Sequence, residues 1–157
     1  MPDRRLLKEV IDAAMVRGGD FADVFIEERQ STFITLEDGK VEKVHSGLDR
    51  GAGVRVLSGE STAYAYTNDL SREGLMNAAD IASRAVGGGG AIRARELQID
   101  TLPAAAGPDG VPLEDKVAAV TAADKAARAV DAAIKQVIVG YGDLVQRVTV
   151  ANSEGVF

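Results

Sequence analysis

The sequence lacks the residue types on which many enzyme sites depend. It has no cysteine and no tryptophan, and its single histidine is His45. The absence of cysteine excludes disulfide bonds, thiolate nucleophiles and cysteine-based metal sites. One histidine is too few for a zinc site that takes two histidines from the same chain. We therefore predict no catalytic residue and no metal ligand in this segment, and we interpret His45 as a strand residue near a sheet surface.

Long apolar runs and an excess of positive charge are also missing. No segment approaches the roughly 20 apolar residues that span a bilayer, and the opening stretch MPDRRLLKEVIDAAMV lacks the apolar core of a signal peptide. The net charge of −6 disfavours nucleic acid and anionic membranes as partners. The composition predicts a cytoplasmic protein, and its 46% of apolar residues is enough for a folded core.

Apolar residues at helical spacing predict three helices. The first covers residues 3–17 with Asp3 as its N-cap, and the second begins at Ser71. The apolar face of the second helix comprises Leu75, Ala78, Ala79, Ala82 and Val86. The third helix follows Pro112, which suits a first helical turn. The stripe predicted to be buried on it comprises Leu113, Val117, Val120, Ala123, Ala127 and Val130.

Alternating apolar residues between turn residues predict antiparallel strands. The strand FADVFIEERQSTFITL leads into residues 37–40, where Asp38 and Gly39 are typical of a tight hairpin. The return strand is VEKVHS, and two further strands, GVRVLS and STAYAYT, meet near Gly59. The segment 134–157 alternates like two strands around residues 141–143. We therefore predict a two-layer α+β fold, in which an antiparallel meander carries about three packed helices and no parallel sheet forms.

Composition divides the chain into three stretches. Residues 1–86 form a helix–meander–helix, residues 87–111 form a flexible linker rich in glycine, proline and alanine, and residues 112–157 form a helix and a strand pair. ARELQIDTLP within the linker is compatible with a short strand. A turn at residues 152–155 is followed by only two residues, which predicts that the chain continues in a longer parent protein.

The glycine-rich stretches do not match nucleotide-binding loops. Residues 51–53 open a strand and residues 87–90 follow a helix, so neither has the strand–glycine–helix order of a dinucleotide site or the Gly-Lys-Ser/Thr of a phosphate loop. We interpret the first stretch as a backbone bend and the second as a flexible exit from the helix.

Two tyrosines and one arginine are the candidate substrate-binding residues. Tyr64 and Tyr66 lie two residues apart and therefore share one face of a strand. They and Arg55 on the preceding strand could line a groove for an extended peptide. The alternative is that both rings simply pack on the sheet and that Arg55 pairs with a neighbouring carboxylate.

Four stretches resemble one known family. LEDGKVEKVHSGLDRGAGVRVLSGESTAYAYTNDLS resembles the N-terminal domain of the TldD/PmbA proteins, bacterial and archaeal zinc metalloproteases that also carry the name modulators of DNA gyrase. GGDFADVFIEER, VPLEDKVAAVTAADKAARAVD and IKQVIVGYGDLVQRVTVANSEGVF resemble further parts of that domain in the same order. The resemblance covers nearly all of residues 1–157, and AYAYTNDLS is more similar to the TldD branch than to the PmbA branch.

The resemblance implies a peptidase that acts on unfolded peptides. TldD-type and PmbA-type subunits pair around a chamber, and zinc is held by a HExxxH motif. That motif is absent from this sequence, so the resemblance places zinc and the catalytic domain beyond Phe157 and no cofactor in this segment. It implies for residues 1–157 an N-terminal domain that is inactive alone, helps to form the chamber wall, and pairs as a homodimer or as a heterodimer with a TldD- or PmbA-type subunit. The expectation that this domain also binds the peptide substrate rests on Arg55, Tyr64 and Tyr66. A stand-alone adaptor module and a gyrase-modulating interaction protein are the alternatives.

Overall fold

The computed structural model describes residues 2–86, 94–98 and 107–157. Within these residues, four strands form one antiparallel sheet in the order β3-β2-β1-β4 and three α-helices accompany it, which confirms the predicted α+β class. None of the helices in these described ranges is long and apolar enough to cross a membrane. The elements are α1 (Arg4–Ala14), β1 (Phe21–Glu37), β2 (Lys40–Ser58), β3 (Ser61–Thr67), α2 (Arg72–Ala85), a single 3-10 turn (Pro108–Gly110), α3 (Leu113–Val130) and β4 (Ile138–Asn152).

The chain divides into two compact units. Unit 1 comprises Met1–Glu28, Arg50–Pro103 and Arg147–Phe157, and unit 2 comprises Arg29–Asp49 and Ala104–Gln146. The linker predicted at residues 87–111 falls mostly on residues 87–93 and 99–106, which lie outside the described residues.

Unit 1 has its core between its two helices and one face of the sheet. α1 packs against α2, and α2 packs on β3. The predicted caps are confirmed, because Asp3 accepts a hydrogen bond from the Leu6 amide at 2.8 Å and Ser71 accepts one from the Gly74 amide at 3.2 Å. The predicted apolar face of α2 is buried as well. The core includes Leu7, Val10, Ile11, Ala14, Val24, Ile26, Val54, Val56, Leu75, Ala79 and Ala82.

The segment 94–98 joins this core beside the last residues of the chain. The Ala94 amide donates to Asp12 Oδ1 at 2.9 Å, and Leu97 is fully buried. Gln98 forms a parallel bridge with Val156, and its carbonyl accepts the Phe157 amide at 2.9 Å. Of the short strand predicted in this region, the described residues therefore contain one bridge.

The hairpin between β1 and β2 forms as predicted. Asp38 has φ of 50° and Gly39 has φ of 74°, so both central residues adopt the left-handed conformation that a two-residue turn of this type requires. Glycine adopts that conformation at no steric cost, and aspartate, like asparagine, tolerates it better than most other residues.

Two predicted strand breaks were wrong. VEKVHS and GVRVLS belong to one continuous strand, β2, and the segment around residues 141–143 lies inside the single strand β4. The glycines at 51, 53 and 142 misled the prediction, since none of them has a positive φ. A Cβ on Gly142 would lie 3.1 Å from Cε1 of Phe33, so this glycine admits a neighbouring ring.

Unit 2 has a smaller core, and its helix buries polar residues. Ile34, Leu36 and Val120 form the buried apolar cluster. The stripe predicted for α3 was wrong in part. Val120 is buried and Val117 packs beside it, but Val130 is 78% exposed and the buried face is completed by Lys116 and Asp124. Positions 116, 120 and 124 share one helical face, and two of the three carry charge.

Candidate peptide-binding surface

The predicted site residues lie on the sheet face of unit 1 that points away from the helices. Side chains alternate along a strand, so the residues between the buried positions of β2 and β3 point outward. Phe25 on β1 lies between the buried Val24 and Ile26, and on β4 the exposed Val150 precedes the buried Ala151, with Val148 two positions earlier on the same face. We call this surface the outer face. It comprises Asp23, Phe25, Gly51, Gly53, Arg55, Tyr64, Tyr66, Val148 and Val150.

The two tyrosine rings lie across the two glycines of β2. In the β2–β3 register Gly53 is opposite Tyr66 and Arg55 is opposite Tyr64. A Cβ on Gly53 would lie 2.7 Å from Cζ of Tyr64, and a Cβ on Gly51 would lie 2.7 Å from Cζ of Tyr66. Tyr64 therefore lies diagonally over Gly53, and Tyr66 over Gly51. In each case the glycine is two positions before the residue of β2 that is directly opposite the tyrosine. The two glycines and the two tyrosines have the same spacing of two residues because each glycine, which has no side chain, leaves room for one tyrosine ring.

Both rings keep a large solvent-accessible area. Tyr64 is 61% exposed and Tyr66 is 66% exposed, so the side of each ring that faces away from β2 is open. Tyrosine offers a rigid apolar surface with a hydroxyl at its tip, which suits contact with many different side chains. Together with the half-exposed Phe25, Val148 and Val150, the rings give the outer face an apolar character.

Arg55 forms an ion pair with Asp23 of the neighbouring strand. Its Nε lies 3.1 Å from Asp23 Oδ1, and its Nη2 contacts Oδ2, so the guanidinium engages both carboxylate oxygens. The hydrogen bond and the charge of Asp23 raise the pKa of Arg55 above its ordinary value. Of the two roles left open by the sequence, the ion pair is present. It fixes the guanidinium plane beside Tyr64, where it adds a flat cationic surface.

Unit 2 contains a buried charged pair that the sequence did not predict. Lys116 Nζ lies 2.8 Å from Asp143 Oδ2, and the two side chains are 8% and 10% exposed. The Tyr141 hydroxyl donates to the same carboxylate at 2.5 Å, which raises the pKa of Tyr141. Burial acts to raise the pKa of Asp143, but hydrogen bonds from Lys116, Tyr141 and Thr32 outweigh it and hold that pKa below its ordinary value.

A second polar contact ties α3 to the β1–β2 turn. Arg128 Nε lies 3.1 Å from Asp124 Oδ1, and its Nη2 lies 3.2 Å from Asp38 Oδ1. The hydrogen bond to Asp38 is the largest cause that raises the pKa of Arg128. The sequence contained one usable signal for this contact, the spacing of four between Asp124 and Arg128.

The residues that the structure describes do not fit a zinc site. His45 is exposed on β2, and Asp23, Asp38, Asp124 and Asp143 are each paired with a cationic side chain. Within residues 2–86, 94–98 and 107–157, no group of three or more histidine, aspartate or glutamate side chains is placed to hold a metal ion.

Two family models match most of the chain. Residues 22–86 match PmbA/TldA metallopeptidase domain 1, and residues 106–157 match the PmbA/TldA metallopeptidase central domain. The chain belongs to the TldD/PmbA family. Arg55, Tyr64 and Tyr66 fall within domain 1, whereas the Lys116–Asp143 pair falls within the central domain of the TldD/PmbA proteins.

Curated relatives agree with this membership. The chain is 34% identical over 74 residues to a metalloprotease TldD homolog of Haemophilus influenzae, a match to 47% of this chain and 15% of the relative. It is 28% identical over 145 residues to a metalloprotease of Methanothermobacter thermautotrophicus, which covers 87% of this chain and 30% of the relative. The chain thus spans less than a third of the length of these TldD/PmbA relatives.

Solved structures share the fold. A candidate modulator of DNA gyrase from Bacteroides thetaiotaomicron superposes with a TM-score of 0.68 at 19% identity, covering 96% of this chain and 36% of that one. TldE from Thermococcus kodakarensis superposes with a TM-score of 0.62 at 15% identity, covering 96% and 35%. At these identities the likeness establishes a common fold.

Proposed function

We propose that this chain is the chamber-forming and peptide-binding part of a TldD-type metalloprotease that acts on unfolded peptides in the cytoplasm. The single observation that carries this proposal is the outer face, where two exposed tyrosine rings lie over glycines of the neighbouring strand. The membership of the chain in the TldD/PmbA family supplies the proposed reaction class, which is metal-dependent peptide hydrolysis. In this proposal zinc is bound by residues outside these 157, and the chain alone is inactive.

The outer face suits a substrate that has no fixed sequence. An unfolded peptide offers an extended backbone and scattered apolar side chains, and Tyr64, Tyr66 and Phe25 provide apolar area for those side chains. Aromatic faces accept many partners because the contact depends on area more than on hydrogen-bond pattern. Arg55, held by Asp23, adds a cationic plane that favours carbonyl oxygens and acidic side chains.

The proposed partner is a second subunit of the same family, either TldD-type or PmbA-type, in a homodimer or a heterodimer. Enclosure in a chamber would bring a peptide held on the outer face to a metal site contributed by other residues. A surface that binds weakly and without sequence preference is useful in that setting, because a chamber raises the local concentration of its contents.

Binding of an unfolded peptide tests the proposal directly. Fluorescence anisotropy of a labelled, apolar, unstructured peptide is measured against the wild-type chain and against the Tyr64→Ala/Tyr66→Ala variant. We expect the double substitution to raise the Kd by about tenfold or more, because it removes both exposed anchors. Phe33→Ala is the matched control, since Phe33 is a similarly exposed ring that covers a glycine in unit 2. Equal affinity of all three chains would refute the proposal.

A further inference from the structure

One edge of β2 is unpaired over half of its length. β2 lies between β1 and β3, but β3 pairs only with Ala52–Ser58. Among the described residues, no strand pairs with the same edge over residues 40–50. All of these residues are exposed apart from the half-buried Gly47. Free N–H and C=O groups along such an edge are a template for another strand.

The charged and apolar residues along this edge match those of a second copy that runs in the opposite direction. Residues 42–50 read EKVHSGLDR. When a second copy runs antiparallel with Ser46 opposite Ser46, Glu42 lies opposite Arg50 on one face. Val44 lies opposite Leu48 on that same face, and Lys43 lies opposite Asp49 on the other. Each of these three pairs occurs twice, because a two-fold axis passes through the centre.

Neighbouring registers lose this match. A shift by one residue places Glu42 opposite Asp49 in one direction, and Lys43 opposite Arg50 in the other, which are like-charge pairs. A shift by two residues places Lys40 opposite Arg50 or Val44 opposite Arg50. Opposite charges and apolar pairs across strands stabilise a sheet, whereas like charges opposite each other destabilise it. The pattern therefore favours the register centred on Ser46 over these four neighbouring registers.

We propose that two copies of this chain associate through the β2 edge, antiparallel and centred on Ser46. The pairing covers residues 42–50, which is longer than the most common strand length of about five or six residues. It stops before Ala52, whose edge is already occupied by Thr67 of β3. Association would cover Val44 and Leu48, which are 42% and 58% exposed in the single chain. The inference rests on the dimeric partner proposed above and names the surface and the register.

The Lys43–Asp49 pair gives the sharpest test. The other charged pair, Glu42–Arg50, is less suitable because Arg50 also interacts electrostatically with Asp69 within the same chain. Analytical ultracentrifugation over a concentration series measures the dimer dissociation constant of the 157-residue chain. Lys43→Asp alone and Asp49→Lys alone each place like charges opposite each other twice, so we expect each to weaken the dimer by about tenfold or more. Lys125→Asp is the matched control, since it makes the same charge change at an exposed position of α3.

Mixing the two single variants separates this surface from any other. In an equimolar mixture, the Lys43→Asp chain and the Asp49→Lys chain would form two attractive pairs with each other, so we expect a heterodimer with near wild-type affinity. If a single variant fails to fold by circular dichroism, the doubly substituted chain restores both pairs within a homodimer and carries the same test. A monomeric wild type, single variants that dimerise normally, or a mixture that stays monomeric would each overturn the inference. A dimer that persists in both single variants would leave the proposed function intact and place its interface elsewhere.

Discussion

The Asp143 carboxylate is nearly buried, and it is tolerated because Lys116, Tyr141 and Thr32 all donate to it. Replacing Lys116 with methionine keeps the length of the side chain but removes the cation. A carboxylate left buried without its partner is costly, so we expect the free energy of unfolding to fall by about 3 kcal/mol. Urea denaturation measures this change. Lys125→Met, at an exposed position of the same helix, is the control and is expected to have little effect.

The lowered pKa of Asp143 also predicts how stability depends on pH. The folded pKa lies below that of the unfolded chain, so the stabilising contribution is complete above pH about 4 and is lost as the pH falls through the folded value. Asp143→Asn should therefore flatten the acid side of the stability profile. The measurement is urea denaturation at a series of pH values below about 5. An unchanged slope in this variant, with Asp115→Asn as an exposed comparison, would show that Asp143 does not contribute.

At the level of elements, Gly51, Gly53 and Gly142 each leave room for an aromatic ring of a residue on a neighbouring strand. Gly53→Ala would place a methyl group where the Tyr64 ring now lies, so the ring must move off the outer face. The Tyr64 ring is 61% exposed and can move, so we expect a loss of stability of about 0.5 to 1 kcal/mol from its lost packing on β2. Gly140→Ala on β4 is the control, because its Cβ would meet no described atom within 4 Å.

A double-mutant cycle checks that the Tyr64 ring is the cause. In a Tyr64→Ala background the ring is gone, so Gly53→Ala should cost much less stability than it does in the wild-type chain. Thermal unfolding followed by circular dichroism is sufficient for the comparison. Additive effects of the two substitutions would argue that Gly53 is needed for some other reason.

The elements that could be predicted from the sequence are those fixed by local chemistry. The caps at Asp3 and Ser71 and the Asp38-Gly39 turn depend on neighbouring residues alone, and all three are confirmed. The continuity of β2 and the polar face of α3 depend on residues far away in the chain. A glycine under a ring on the next strand looks the same in sequence as a glycine at a bend. A buried lysine likewise gives no sign of its partner 27 positions later.

The candidate site shows the same division. The alternation of Tyr64 and Tyr66 placed both rings on one face from the sequence alone. The identity of that face as the exposed one follows from which side the helices cover, and the ion pair of Arg55 follows from the pairing of β1 with β2. Neither of these is contained in the spacing of the residues themselves.

For the whole molecule, the central prediction is that the 157-residue chain neither retains zinc nor cleaves peptides. The sequence has one histidine and no cysteine, and Asp23, Asp38 and Asp143 are each paired with an arginine or a lysine. Tetrahedral protein zinc sites need three or four strong ligands, and an aspartate held by a cation is a poor one. After incubation with zinc and dialysis, we expect far less than one equivalent of metal by atomic absorption, and no chelator-sensitive hydrolysis of a labelled unfolded peptide. A full-length TldD/PmbA relative, treated in parallel, shows that the assay detects both. Stoichiometric zinc in the 157-residue chain would mean that its carboxylates rearrange to bind metal, and the division of labour proposed here between peptide binding and catalysis would then be wrong.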